Sequence, residues 1–448
     1  MRIYNTLSRS VKEFKPISEG QVYMYTCGPT VYDYMHIGNL RTFTLSDLLF
    51  RALSIKYNVK SIQNITDIDD KIIKRAEEAG QEVAEVAKEF TQYFLEDVNK
   101  LNIAWKMGEQ PKVSDYIEQI SEYVSDLINK GYAYSEPDGS VYFDISKFKD
   151  YGKLSRISAS SLKTGTRVLS DNYSKEDVQD FALWKAVPQG EKGSFYSKRL
   201  GWGRPGWHIE CSVMSQSTLG NRIDIHAGGI DLIFPHHENE IAQSESKTGE
   251  KPFVNYWVHG AHLLVNGEKM SKSLGNFYKL REITGKGIDP LALRYLYLQT
   301  HYRQEMNFTW EALEGAQNAL NKLRREFASW EGERVGCAEF EQRFMDAVGD
   351  DLNMPKALSI VWELVKSDYP GSAKKQSLLK MDEVLGLNLT NYKEEEIEVP
   401  PEIQELAGKR EVFRKSGNYE GADKVRAEIE EKGFMVEDSK DGIKIRKS

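Results

Sequence analysis

Gln21-Val22-Tyr23-Met24-Tyr25-Thr26-Cys27-Gly28-Pro29-Thr30-Val31-Tyr32-Asp33-Tyr34-Met35-His36-Ile37-Gly38-Asn39 is the stretch from which the fold can be read. Residues 21–27 favour an extended chain, and the run Val22-Tyr23-Met24-Tyr25 suits a strand buried on both faces. Gly28-Pro29 turns the chain. From Asn39 to Ile55 the apolar residues Leu40, Phe43, Leu45, Leu48, Leu49 and Leu53 recur at mostly helical spacing, and Val59 to Ile65 reads as a second strand. Strand, helix and strand in that order make a βαβ unit, so the class is α/β with a parallel sheet and right-handed crossovers. A ligand belongs beyond the carboxyl end of the first strand, where Cys27 and His36 lie.

Working outward, the segment at about 110–200 reads as an insertion into that sheet domain. Asp115 with Glu118 is expected to cap a helix carrying Ile117, Ile120, Val124, Leu127 and Ile128, ended by Gly131, and Ala133 to Ile145 reads as a hairpin turning at Pro137-Asp138-Gly139. From Asp289 the pattern turns helical: Leu313, Ala316, Leu320, Leu323, Phe327 and Trp330 form one apolar stripe, and Pro355 opens a helix with Leu358, Val361, Trp362 and Val365. The acidic run Glu394-Glu395-Glu396-Ile397-Glu398, followed by Pro400-Pro401, reads as a linker into a small domain of two helices and a hairpin turning near Asp441-Gly442. The expected organisation is a sheet domain over 1–305 with its insertion, a helical bundle over 306–392, and a C-terminal α+β domain over 400–448.

Bulk properties narrow the class without naming a function. A chain of 448 residues, 40% hydrophobic and 29% charged, is that of an ordinary soluble protein of roughly two to four domains. The N-terminus lacks a charged-then-apolar leader and no apolar run approaches the ~20 residues of a membrane span, so a cytoplasmic protein with no membrane partner is expected. Cys27, Cys211 and Cys337 are too few for a disulfide framework, which leaves metal ligation or burial to explain them. A net charge of -8 argues against general nucleic-acid binding but leaves room for a local basic face; the C-terminal helices carry Lys409, Arg410, Arg414, Lys415, Lys424 and Arg426, followed by Lys440, Lys444, Arg446 and Lys447.

Three constellations carry chemistry. His36-Ile37-Gly38-Asn39 stands at a strand-to-helix turn, where free backbone N–H groups, a glycine that admits close approach and an imidazole donor suit a triphosphate. Lys269-Met270-Ser271-Lys272-Ser273, flanked by Asn266-Gly267 and Leu274-Gly275-Asn276, is a cationic loop able to close over a leaving pyrophosphate. Pro235 can open a helix that sets His236 and Glu240 one turn apart on one face, although spacing equally permits His237 with Glu240. Cys27 and Cys211 would complete a two-sulfur, one-nitrogen, one-oxygen set suited to zinc. Gly201-Trp202-Gly203-Arg204-Pro205-Gly206 formally matches a dinucleotide-binding glycine pattern and is rejected, because no strand leads into it and Pro205 interrupts it.

Together, the first two motifs resemble the paired signatures of class I aminoacyl-tRNA synthetases, with one departure at Asn39, where that class often has histidine. The order of Thr26-Cys27-Gly28-Pro29-Thr30, Asn64-Ile65-Thr66-Asp67-Ile68-Asp69-Asp70, Gly206-Trp207-His208-Ile209-Glu210-Cys211 and the His236 helix resembles the cysteinyl-tRNA synthetase family over essentially the whole chain. The resemblance implies a Rossmann-like class I catalytic domain, with catalytic roles for His36, Asn39, Lys269 and Lys272 and ATP contacts from Thr30, His36, Gly38, Asn39 and Lys272. It assigns one zinc per chain to Cys27, Cys211, His236 and Glu240, and the cysteine pocket to Gly28, Thr66, Trp207, His226 and Asp231.

The implied partners are ATP with Mg²⁺, L-cysteine and tRNA(Cys), the last held in part by the C-terminal domain of a monomer. Zinc makes sense physically: serine and cysteine differ by one atom, a difference that shape alone resolves only about 10- to 200-fold, whereas a metal selects the thiolate. Two further readings share these motifs, a cysteine ligase acting on an amino sugar as in mycothiol synthesis and a non-catalytic zinc-stabilised RNA-binding relative. The segment from Pro400 to Ser448 counts against the first and the intact residues 269–273 against the second. Cys337 matches nothing and reads as a free thiol.

Overall fold

A computed structural model describes residues 1–104, 110–157, 162–168, 178–271, 274–332, 334–392, 399–439 and 442–447. Strand Gln21–Thr26 lies inside a four-stranded, all-parallel sheet, in the order Val254–Gly260, Ile223–Gly229, Gln21–Thr26, Asn58–Gln63. Its neighbours saturate both edges, pairing Ile225 with Met24 on one side and Met24 with Ser61 on the other, which is why its apolar run shows no alternation. Helix Ile37–Ser54 makes the crossover expected between the first two strands. Just past the strand, Gly28 is obligatory: a Cβ there would stand 1.6 Å from the carbonyl oxygen of Asn64. That close approach lets residues 28–31 and 64–66 zip together, with the amide of Thr66 donating to Pro29 O and that of Val31 donating to Thr66 O.

The insertion differs from expectation at one helix start. Helix Ile117–Asn129 has no side-chain cap; Asp115 falls inside a 3-10 turn, Val113–Tyr116, that precedes it. The turn is held instead by Asp67, which accepts from both the amide and the hydroxyl of Ser114, so a distant carboxylate replaces the local cap. Strands Ala133–Ser135 and Val141–Phe143 form the expected hairpin, with Gly139 at φ 93° in its turn. They join Val178–Ala186, Gly201–Pro205 and Phe195–Ser197 in one antiparallel run, and Leu162–Val168 pairs parallel with Val178–Ala186. Five residues of the rejected glycine pattern, Gly201–Pro205, are therefore themselves a strand, and strand Phe195–Ser197 leads into it. Gly203 lets that strand lie against Trp184, whose Nε1 would be 2.2 Å from an added Cβ.

The helical reading beyond Asp289 is interrupted by strand Met306–Phe308, which pairs in parallel with Leu263–Val265, itself antiparallel to Glu268–Lys269. Helices Pro290–Leu298, Trp310–Ser329, Ala338–Gly349, Met354–Lys366 and Gly371–Leu385 follow. These helices and the sheet belong to one compact unit, Met1–Thr390. One buried ionic node ties them together. Arg294 donates to Asp47 Oδ2 at 2.5 Å, to Leu385 O at 2.6 Å and to Leu101 O at 3.0 Å, while Asp47 also accepts from Arg51 and from the amide of Ala104.

The second unit, Asn391–Ser448, has its own core of Ile403, Leu406, Val425, Ile429, Phe434 and Val436. Helices Pro401–Lys415 and Tyr419–Glu431 lead to an antiparallel hairpin of Phe434–Ser439 and Gly442–Lys447; the turn at 440–441 and the acidic run 394–398 lie outside the described residues. Residues 401–448 contain eleven Lys or Arg against eleven Asp or Glu, so the cationic set is matched in full by acidic residues. Lys409, Lys415, Lys424 and Arg426 each pair with a glutamate one helical turn away. Among the described residues, no helix is long and apolar enough to cross a membrane.

Truncating Asp47 while leaving Arg294 in place strands a buried cation. Asp47→Ala should lower the stability of the Met1–Thr390 unit by about 3–5 kcal/mol, measured as a fall in the urea midpoint.

Candidate active site

At the carboxyl edge of the parallel sheet, strand Gln21–Thr26 delivers Cys27, helix Trp207–Leu219 delivers Cys211, and helix His236–Thr248 delivers His236 and Glu240. All four are buried, and one ligand atom from each lies within 4.8 Å of the others. The two sulfurs are 3.7 Å apart, Cys27 Sγ is 3.6 Å from Glu240 Oε1, and His236 Nε2 is 3.2 Å from the same oxygen. Donor atoms sharing one tetrahedral zinc would stand about 3.8 Å (S and S), about 3.6 Å (S and O) and about 3.4 Å (N and O) apart, so this arrangement fits such an ion. His236 Nε2 is buried with no hydrogen-bond partner, as a ligand nitrogen awaiting a cation would be, while Nδ1 lies 3.0 Å from His208 Nδ1.

A second set overlaps the first: Cys27, His226, His237 and Glu240 also lie within 4.8 Å of one another. The ambiguity between His236 and His237 left by their spacing is thus present in three dimensions. His237 Nε2 is 3.3 Å from Cys27 Sγ, and its Nδ1 meets His259 Nε2 at 2.8 Å, with Thr6 Oγ1 beyond on His259 Nδ1. This set is less regular, because His226 Nε2 already sits at ordinary hydrogen-bonding distance, 2.9 Å, from Glu240 Oε2. Its donor chemistry is also harder, with one sulfur where the first set has two.

Burial governs the protonation of the cluster. Desolvation pushes the Cys27 thiol well above its usual range and raises that of Cys211, so without a cation both keep their protons. It lowers His236 to about 3 and holds His237 well below the usual histidine range, leaving neutral imidazoles that can ligate.

The expected pocket residues surround this cluster. The Trp207 ring stacks on His236 with centroids 4.2 Å apart, and His226 stacks on Trp257 at 4.7 Å. The Gly28 amide donates to Asn64 Oδ1, Asn64 Nδ2 donates to the Thr66 hydroxyl, and Thr66 donates in turn to Glu210 Oε2 at 2.8 Å. Asp231 is exposed two residues past strand Ile223–Gly229, its carboxylate folded over Gly229, where a Cβ would be 2.3 Å away. Asn64 and Glu210 stand inside the motifs quoted above without a role assigned to them, and His259 lies outside those motifs; as single polar residues they carry no periodic signal.

The other half of the site is the His36 turn. His36 caps helix Ile37–Ser54, its Nδ1 accepting from the amides of Gly38 and Asn39 at 3.1 and 3.2 Å. Burial lowers His36 to about 4, so at neutral pH the ring is uncharged and, with Nδ1 occupied as an acceptor, its proton resides on Nε2. Thr30 bridges to Thr66, which joins this turn to the cysteine-bearing edge. The cationic loop closes on the same place: an added Cβ at Gly38 would lie 2.6 Å from Met270 Cε, Phe277 meets the His36 ring at 4.7 Å, and the Ile37 amide donates to Tyr278 O. Asn276 ties the loop by accepting from the Ser271 amide and donating to Lys269 O, and Lys269 itself is exposed. Lys272 and Ser273 lie outside the described residues.

Residues 13–318 match the family described as tRNA synthetases class I (C) catalytic domain. Two solved structures share the fold. One is Mycobacterium tuberculosis methionyl-tRNA synthetase in complex with methionyl-adenylate, with a TM-score of 0.57 and 16% identity over 82% of this chain and 90% of that one. The other is Agrobacterium radiobacter K84 LeuRS in a ternary complex with tRNA and LeuAMS, with a TM-score of 0.60 and 10% identity over 84% and 85%. Fold and site thus define a class I aminoacyl-tRNA synthetase. Within that class the chain belongs to the cysteine–tRNA ligase family: it is 43% identical to the cysteine–tRNA ligase of Caldicellulosiruptor saccharolyticus over 100% of both chains, and 41% identical to that of Chlamydia muridarum over 99% of both.

The neutral cap at His36 makes a pH-dependent prediction. Because its folded-state pKa of about 4 lies below the unfolded value, the unfolded chain takes up a proton first, and this term costs stability as pH falls from about 6.5 to about 4. His36→Asn keeps a capping side chain without that titration. It should lose less stability than wild type on acidification across that window in urea melts, while adenylate formation at pH 7.5 falls about 100-fold.

Proposed function

We propose that this chain activates L-cysteine with ATP and transfers it to the 3′-terminal adenosine of tRNA(Cys), as its family membership suggests. The observation that carries the reading is the pair of sulfurs 3.7 Å apart beside His236 and Glu240, on the same sheet edge as the His36 turn. Cys27, Cys211, His236 and Glu240 would hold zinc, whose chemistry is to ionise and bind the substrate thiol and so to reject serine. The regular donor spacing and the two sulfurs favour this set over the one containing His226 and His237. Gly28, Thr66, Trp207, His226 and Asp231 would line the pocket, with Asp231 offering the exposed carboxylate for the substrate ammonium.

The chain's own groups then act by position. The cysteine carboxylate attacks the α-phosphate of ATP, which arrives with Mg²⁺. Neutral His36 donates its Nε2–H to a phosphate oxygen, and the helix N-terminus at Gly38 and Asn39 offers further positive potential. Thr30 holds the turn in register with Thr66. Lys269 and Lys272 supply charge to the leaving pyrophosphate. A ribose hydroxyl of the tRNA then attacks the adenylate carbonyl, and no protein nucleophile is needed. A monomer is the simplest state for this reading, and a cytoplasmic location suits the substrates.

ATP–pyrophosphate exchange across a panel of amino acids tests this directly, and cysteine should give the one strong signal. Purified protein should carry about one zinc per chain, with Cys211→Ser losing most of the metal and of the exchange activity together. Full exchange in zinc-free protein would overturn the thiolate mechanism.

The terminal unit would serve tRNA recognition. A chain ending at Tyr392 should retain zinc and near-normal exchange while its KM for tRNA rises, because the cut removes a unit with a core of its own. Unchanged charging by the truncated chain would contradict that role. Failure of the intact protein to charge tRNA, with cysteine joined instead to an amino sugar, would favour the small-molecule ligase.

A further inference from the structure

Tyr25 takes no part in the mechanism above, yet it stands under the cysteine pair. It is a fully buried residue of strand Gln21–Thr26, two positions before Cys27, so the two side chains leave the same face of the sheet. Its ring meets His226 edge-on, with centroids 5.2 Å apart. Its hydroxyl is a buried polar atom that makes no aligned hydrogen bond to any described residue. Burial is the largest influence on that hydroxyl, and after it come Cys211, Cys27 and Glu240, three of the four members of the cluster, whose two sulfurs stand 3.7 Å apart.

A phenol at such a place costs desolvation free energy that phenylalanine would avoid, unless a strong acceptor appears. A neutral thiol is a weak acceptor, and a metal-bound sulfur is a strong one. Resting on the zinc reading above, we propose that Tyr25 is a positioning residue of the metal cluster, its O–H donating a hydrogen bond to Cys211 Sγ when that sulfur binds the cation. The bond fixes the direction of the Cys211 sulfur lone pairs. It also withdraws electron density from that sulfur, so the cation keeps more of its affinity for one further thiolate, that of the substrate. Tyr25 thereby tunes selection of cysteine from beneath the ligands, without touching the amino acid.

The test compares wild type, Tyr25→Phe and Thr26→Val after the zinc has been exchanged for Co²⁺, whose thiolate-to-metal absorption in the near ultraviolet reports electron density on sulfur. Thr26 also carries a buried hydroxyl with no partner, but it neighbours Tyr25 on a strand and therefore faces the opposite side of the sheet, so it controls for nonspecific effects of deleting such a group. Tyr25→Phe should bind one Co²⁺ per chain with its charge-transfer band moved to longer wavelength. Its cysteine dissociation constant should rise about 10-fold while the KM for ATP stays unchanged, and Thr26→Val should match wild type in all three. A Tyr25→Phe spectrum superimposable on that of wild type, with unchanged cysteine affinity, overturns the role of Tyr25 and leaves the zinc site standing. Wild-type protein that takes up neither zinc nor Co²⁺ overturns the metal site and this inference with it.

Discussion

Two thiols, a carboxylate and several imidazoles buried together at the edge of an apolar sheet are the constraint around which this molecule is built. Cys27, Cys211, His236, His237, His226 and Glu240 all lie below a tenth exposed. Groups of this kind are costly to bury unless each is paired or bound to a cation. The fold meets the cost in layers. Inside, the donor atoms converge at separations that suit one tetrahedral ion. Outside them, His208 meets His236, Asn64 accepts from Cys211, and His259, backed by Thr6, meets His237, contacts that fix how these side chains point. Desolvation keeps His236 and His237 neutral and the thiols of Cys27 and Cys211 protonated, a state poised to exchange protons for metal.

The parallel sheet is what brings that cluster to the nucleotide turn. In a parallel arrangement all strands end at one edge, so Cys27 and His226 arrive side by side from neighbouring strands while the crossover helix begins a few residues on. The glycine at 28 is the hinge of the arrangement. Without a Cβ it allows segment 28–31 to run against 64–66, and through that contact Thr30 and Thr66, one expected to serve ATP and the other cysteine, are held in register. Chemistry that needs a carboxylate and an α-phosphate to meet depends on such fixed spacing.

The cationic loop and the helical bundle are joined to the same turn by different physics. The loop reaches it through packing and backbone contacts, with Met270 on Gly38, Phe277 on His36 and Tyr278 O on the Ile37 amide. The bundle reaches it through Asp47 and Arg294, ten residues along the helix that His36 caps, in a pair with no solvent exposure. A buried ion pair cannot be broken cheaply, so the bundle is a rigid partner of the helix that His36 caps.

The sequence by itself determined the βαβ unit, the strand-to-helix turn at His36, the helix that sets a histidine of the 236–237 pair one turn from Glu240, and the two-helix terminal unit with its hairpin. Each of these rests on interactions within a few residues, where periodicity and capping chemistry operate. It also carried the family, because the order of several short motifs survives in one dimension. Only the tertiary structure decided what depends on contacts between distant segments. The helix start at Ile117 moved because Asp67, far away in the chain, holds the preceding turn. Strand Met306–Phe308 is too short to announce itself and forms because Leu263–Val265 offers it an edge. The glycine-rich stretch at 201–205 became a strand by pairing with Val178–Ala186 and Phe195–Ser197. Cys27 and Cys211, separated by 184 residues, meet because a strand ends where the first turns of a helix lie. Tyr25 read as an ordinary core aromatic of an apolar strand, because which groups a buried hydroxyl faces is a property of packing, and packing is set by the whole chain at once.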